Sequence, residues 1–217
     1  MKQVVLFILL SIMAHAASAQ KYSFTLKGDI INVKDGKVCL YSPVDSVRAL
    51  LTTDMKDGLF TLAGELDEPG LYTLAGARFA IVLDGREMML YGDYLEPDTK
   101  LLKGSDAVKT RLALDQLHYE SFDMVVNEGL GKYYEMIENE QIEEAEGFIG
   151  QVIRDASANW RTHLLEFVKT HPDDLYVPVR LMEEVKKASE WGKKAYEALT
   201  PKIQASQPGR LLKEMLK

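Results

Sequence analysis

Tyr22-Ser23-Phe24-Thr25-Leu26-Lys27 decides how the N-terminal half is read. Tyr22, Phe24 and Leu26 alternate with Ser23, Thr25 and Lys27, the period-two pattern of a strand with one buried face. Outward from it, Asp35-Gly36, Asp57-Gly58 and Asp84-Gly85 stand between β-type segments. An Asp-Gly pair suits the positive φ that tight hairpin turns demand. The segments they punctuate are 38–41, 47–53, 59–63, 71–75, 78–83 and 87–91. Short strands at this spacing predict an antiparallel β-sandwich or open barrel over residues 20–104, and not a parallel sheet.

After Gly104 the period changes. Ser105 or Asp106 caps a helix that starts near Ala107 and passes Leu112, Leu117 and Phe122. Ile142, Ala145, Phe148, Ile149, Val152, Ile153, Ala156, Trp160, Leu164, Phe167 and Val168 then form one apolar stripe at helical spacing, from about 141 to 170. His171-Pro172-Asp173-Asp174 breaks it, with Asp173 as the expected cap of a helix through Lys187. Ser189 starts a shorter helix to Thr200, Pro201 opens the next, and Gly209 precedes a last one from Arg210 to Lys217. The expected fold is α+β: a β domain over 20–104 followed by a helical domain over 105–217.

The first residues read as an export signal. Met1-Lys2-Gln3 is a short basic start, and residues 4–13 are apolar but shorter than the ~20 residues a membrane-spanning helix needs. Ala17-Ser18-Ala19 places small residues where a signal peptidase requires them, so cleavage is expected between Ala19 and Gln20. No Cys follows the apolar run to carry a lipid. A periplasmic or secreted product is expected, without stable membrane insertion once residues 1–19 are removed.

Removing them takes away the base Lys2 and no acid, leaving the product one unit more acidic than the −7 of the full sequence. That balance argues against nucleic acid, whose phosphates need a basic face. Cys39 is the only cysteine, so no intramolecular disulfide can form; in Lys37-Val38-Cys39-Leu40-Tyr41 it reads as a small strand residue and not a reactive thiol. There is no Gly-x-Ser-x-Gly elbow, Gly-rich phosphate loop or EF-hand pattern. His118, His163 and His171 lack the i, i+4 spacing of a helical zinc site, and structural or surface roles are expected for them. Glu135, Glu138, Glu140, Glu143, Glu144 and Glu146, with Lys132 as the nearby base, read as a solvated helix junction. The competing reading is a carboxylate-based enzyme or a cation binder. Trp160, Trp191, Tyr133, Tyr134, Tyr176 and Tyr196 read as core or helix contacts before a ligand groove, and Met88-Met89 as strand packing. No catalytic, cofactor or metal residue is assigned.

Taken in order, several stretches resemble one family. They are Phe24-Thr25-Leu26-Lys27-Gly28, Asp35-Gly36-Lys37-Val38-Cys39-Leu40-Tyr41, Asp57-Gly58-Leu59-Phe60-Thr61-Leu62-Ala63-Gly64 and Glu68-Pro69-Gly70-Leu71-Tyr72. Val82-Leu83-Asp84-Gly85, Tyr91-Gly92-Asp93 and Lys103-Gly104-Ser105 continue the likeness, and so do residues 167–174, 199–202 and 206–210. The family is a domain of unknown function that stands at the N-terminus of periplasmic thioredoxin-like thiol:disulfide interchange proteins of Bacteroidetes. The resemblance implies a non-catalytic β region with trailing helices, and a partner that is a thioredoxin-like periplasmic protein or an envelope ligand. Family members continue into a thioredoxin fold with a Trp-Cys-x-x-Cys motif, whereas this sequence ends at Lys217 with one cysteine. Without two cysteines no dithiol can cycle. The expectation is a non-enzymatic binding module, or else a truncated or split member that lacks its thioredoxin domain.

Overall fold

The computed structural model describes residues 21–77, 79–96, 101–185 and 189–217. Ala19, Gln20, Arg78 and Lys187, each part of an expectation above, lie outside these residues. The chain divides into two compact units between Gly104 and Ser105. Among the described residues the architecture is α+β, with two sheets before that point, helices after it, and no closed barrel.

The first sheet has the order β4-β1-β7-β8, built from Leu59–Leu66, Tyr22–Ile31, Glu87–Asp93 and Leu101–Lys103. The second has the order β3-β2-β5-β6, from Leu51–Met55, Gly36–Tyr41, Gly70–Ala75 and Phe79–Leu83. The alternation of β1 is what buries the core. Phe24, Leu26 and Ile30 point inward, and Leu26 stands between Leu62 of β4 and Met88 of β7. Gly28 takes the fourth inward position because Phe60, opposite it on β4, lays its ring where a Cβ would stand. Val38, Leu40, Tyr72, Leu74, Ile81 and Leu83 supply the buried side of the second sheet. Each fully buried aliphatic side chain of this kind contributes about 1.5–3 kcal/mol.

Two expectations about connectivity are corrected. The first sheet is not purely antiparallel, because β1 pairs in parallel with β7, Leu26 beside Met88 and Gly28 beside Leu90. The three Asp-Gly pairs do not close hairpins within a sheet either. Each carries the chain across from one sheet to the other, β1 to β2, β3 to β4 and β6 to β7. The expected turn chemistry is present at Asp57-Gly58, where φ is +50° and +79° and Lys56 and Leu59 exchange backbone hydrogen bonds of 3.0 and 2.9 Å. The carboxylate of Asp35 accepts the Asp57 N–H at 2.8 Å, tying two of the crossings together.

Strand β3 starts later than residue 47. The Asp45 carboxylate accepts the N–H groups of Val47 and Arg48 at 3.0 and 3.1 Å, which holds this stretch in a turn. The short strand β8 has no signature in the sequence, since three residues cannot show a period.

The helical unit contains α1 (Asp106–His118), a π-helical turn (Tyr119–Asp123), α2 (Met124–Glu138), α3 (Ile142–Thr170), α4 (Val177–Glu184), α5 (Glu190–Glu197), α6 (Pro201–Ala205) and α7 (Gln207–Met215). Ser105 caps α1 by accepting the Val108 N–H at 3.2 Å. The helix runs through the π-helical turn into α2, and Asn159 of α3 donates to the carbonyl of Ser121 within that turn at 3.2 Å. The α3 stripe enters a core only in part. Trp160, Leu164 and Val168 pack with Leu181, Leu199 and Leu212, while Ile142 and Ile153 are exposed.

Asp173 does not cap a helix. Its carboxylate accepts the Thr200 hydroxyl at 2.7 Å, and Asp174 accepts the Tyr176 N–H at 2.8 Å one residue before α4. Ser189 caps α5 as expected, accepting from Gly192 at 3.1 Å, though that helix ends at Glu197 and not at Thr200. Pro201 opens α6. The last helix starts at Gln207, capped by Ser206, so Gly209 lies inside its first turn. Leu212 and Leu216 are turned into the core, and Met215 faces out.

The Asp57-Gly58 crossing generates a prediction. A Cβ on Gly58 would collide with the carbonyl of Ile30 at a positive φ, so Gly58→Ala should lower the urea-unfolding free energy by about 1–3 kcal/mol. An unchanged urea midpoint would show that the turn relaxes freely.

Candidate functional site

The same alternation that buries Phe24, Leu26 and Ile30 turns Lys27, Asp29 and Ile31 to the opposite face of the first sheet. Register then assembles two rows across the strands. Lys27 stands between Thr61 and Met89, and Asp29 between Leu59 and Tyr91, with Leu101 beyond Tyr91. Four apolar side chains remain open on this one face: Ile31 (59% exposed), Leu59 (57%), Leu101 (42%) and Met89 (39%). A sheet face in contact with water ordinarily carries polar residues at such positions, and a gathered apolar surface marks a place of contact.

The face is concave. A cleft of about 560 Å³ is lined by Lys27, Asp29, Leu59, Thr61, Met89 and Tyr91, with Asp54 of β3 also contributing. An adjoining recess of about 420 Å³ shares Asp29 and Tyr91 and adds Ile31, Asp93 and Glu96. The two shallow clefts meet at Asp29 and Tyr91, and together they are called the trough below. Tyr91 is held in place: its hydroxyl donates to the Met89 sulfur at 3.2 Å, and the Lys103 ammonium lies 5.7 Å from its ring centre. Lys27 forms an ion pair with Glu87. The arrangement offers apolar area, one aromatic ring and fixed negative charge, which is the equipment for recognition.

Of the residues weighed in the sequence for a functional role, Met89 belongs to this trough; Lys27, Leu59, Thr61 and Tyr91 stand there as strand residues of the quoted stretches. Met88 is buried and Met89 is exposed, so the pair splits between core and surface. Cys39 is half-buried on β2, where the Thr52 hydroxyl lies 3.5 Å from its sulfur. Glu135, Glu138, Glu140, Glu143, Glu144 and Glu146 lie around the junction of α2 and α3, at or near the surface. Among the described residues no group of acids, His or Cys is placed to hold a metal ion.

His163 is exposed, and His171 stacks on Phe167 with ring centres 4.1 Å apart. His118 meets the edge of Trp160 at 4.8 Å and its Nδ1 lies 3.2 Å from the Asp123 carboxylate.

The aromatic residues do not assemble into one groove. Trp160 is buried with the Arg180 guanidinium 5.1 Å above its ring. Trp191 donates to the Arg161 carbonyl at 3.3 Å, Tyr133 packs edge-on to Tyr134, and Tyr176 and Tyr196 pack at the margin of the helical core. The trough becomes readable only with the strand register. Once β1 is aligned beside β4 and β7, Leu59 and Met89 must face out with Lys27 and Asp29.

Burial pushes the Tyr176 hydroxyl up to about 12, helped by the charge of Glu183. Burial does the same for Tyr72 in the β unit, also to about 12. Both groups keep their protons in the folded chain at a pH where the unfolded chain releases them. The stability they contribute is complete below pH 10.0 and is lost as pH rises toward about 12. Tyr176→Phe should flatten the fall in melting temperature across that window; a slope equal to the parent's would show that Tyr176 ionises freely. No protein-family model matches the chain, and neither the curated proteins nor the solved structures contain a significant match to it.

Proposed function

We propose that the chain is an exported, non-enzymatic binding module whose contact surface is the trough on the outer face of the β4-β1-β7-β8 sheet. The observation that carries this reading is the gathering of exposed Ile31, Leu59, Met89 and Leu101 on one sheet face, with Leu59 and Met89 lining one cleft there and Ile31 the next. The order of basic start, apolar run and small residues before Gln20 supports export. The resemblance to the non-catalytic region of thioredoxin-like interchange proteins supports a periplasmic partner, thioredoxin-like, or an envelope ligand. The single thiol of Cys39 gives the chain no dithiol to cycle.

The mature protein should have Gln20 as its first residue by intact-mass measurement. It should leave the disulfides of insulin unreduced, and steady insulin reduction would end the non-enzymatic reading. Immobilised protein should retain a partner from an envelope extract, and the double variant Leu59→Lys, Met89→Lys should retain at least about tenfold less, as loss of a central apolar contact does. Equal retention by parent and variant would remove this face from the proposal.

A further inference from the structure

We infer that Met89 is a site of reversible oxidation, where a hydroperoxide converts the thioether to a sulfoxide stabilised by the Tyr91 hydroxyl and the Lys103 ammonium. The effect of this on binding rests on the reading of the face as the contact surface; the chemistry at the sulfur does not.

Register places Met89 in the interior of its sheet. It stands between Lys27 of β1 and Lys103 of β8, with Thr61 of β4 beyond Lys27. Its neighbour Met88 is turned into the core, whereas Met89 is 39% exposed. Exposure alone does not single it out, since Met124 on α2 and Met215 on α7 are each 42% exposed. The company of its sulfur does. The Tyr91 hydroxyl donates to that sulfur at 3.2 Å, and the Lys103 ammonium lies 5.7 Å from the centre of the same tyrosine ring. On the other side Lys27 is paired with Glu87, and Asp29 and Asp54 also line the cleft, so net charge decides nothing here. The donors beside the sulfur decide it.

A thioether carries no proton to lose before it reacts. The sulfur lone pair attacks one oxygen of hydrogen peroxide, and the sulfur–oxygen bond forms as the oxygen–oxygen bond breaks. The departing hydroxide takes the remaining proton of the transferred hydroxyl and leaves as water. The sulfur loses two electrons and the peroxide gains them. Negative charge develops on the departing oxygen, where a hydroxyl and an ammonium fixed beside the sulfur stabilise it. A thioether is a weak hydrogen-bond acceptor, and the sulfoxide oxygen gives the Tyr91 hydroxyl a stronger one. Oxidation therefore sets a polar group on a face otherwise made apolar by Ile31, Leu59 and Leu101. A dithiol-driven sulfoxide reductase reverses the change, supplying two electrons and two protons and releasing the oxygen as water.

The test treats the mature protein with hydrogen peroxide, samples it in time and follows each methionine by peptide mass spectrometry. Met89 should oxidise at least about threefold faster than Met124 and Met215, the worth of one net hydrogen bond. Tyr91→Phe keeps the ring and removes the donor. It should shrink that lead, and adding Lys103→Gln should erase it, with the rates at Met124 and Met215 unchanged. Equal rates at the three methionines of the parent, or an undiminished lead in the double variant, would overturn the site.

The oxidised parent should retain at least about tenfold less envelope partner than the reduced one, and sulfoxide reductase should restore retention. Met89→Leu keeps an aliphatic group with no sulfur, so it should retain the partner equally before and after peroxide. If peroxide weakens Met89→Leu as much as the parent, or leaves the parent's retention level, Met89 is not the switch. If Leu59→Lys, Met89→Lys leaves retention intact, the contact reading falls, and the oxidation rates alone decide whether Met89 is the modified residue.

Discussion

Strand β1 has to satisfy neighbours on both edges and a different environment on each face. It lies between β4 and β7, so it is hydrogen-bonded on two sides along most of its length. Its inward residues set the core, and its outward ones cannot then be chosen freely, because a strand permits no third direction. Gly28 shows how tight the requirement is. The core gives that position to the ring of Phe60, so the residue between Leu26 and Ile30 must have no side chain. Lys27 and Asp29 flank that glycine on the opposite face, where the trough forms.

What is legible in the sequence follows from the range over which each signal acts. Alternation is local, and it places seven of the strands to within a few residues. Caps are local too: Ser105 and Ser189 are legible because a hydroxyl beside an apolar period has one obvious use. Partner choice is not local. Asp57-Gly58 has the backbone of a tight turn whether the strands it joins share a sheet or belong to two, so its chemistry can be read and its destination cannot. The parallel pairing of β1 with β7 is further removed still, since it joins residues about sixty apart in sequence, as Leu26 and Met88 are.

The helical unit divides along the same line. The stripe on α3 is genuine, yet only the stretch around Trp160, Leu164 and Val168 meets a core, because burial depends on which helices arrive and not on the stripe. Asp173 and Asp174 look equivalent in sequence, and the fold gives one to Thr200 and the other to the start of α4. The trough escapes a linear reading for a related reason. Leu59 and Met89 look like strand packing, which is right for half of the residues in any strand; the half that faces outward emerges only when register sets them beside Asp29 and Lys27.

The crossing of the chain between sheets bears on how the β unit is made. Because β2 and β3 come between β1 and β4, and β5 and β6 between β4 and β7, the first sheet cannot zip up from consecutive hairpins. Strand β1, the earliest of the described strands in the chain, is central to its sheet; it stays without a neighbour there until β4 has been synthesised, and lacks its second until β7 follows. Such non-local closure slows the search for the native state and leaves Phe24, Leu26 and Ile30 exposed in the meantime. The β unit is accordingly a slow folder that depends on being kept from other chains while its first strand waits.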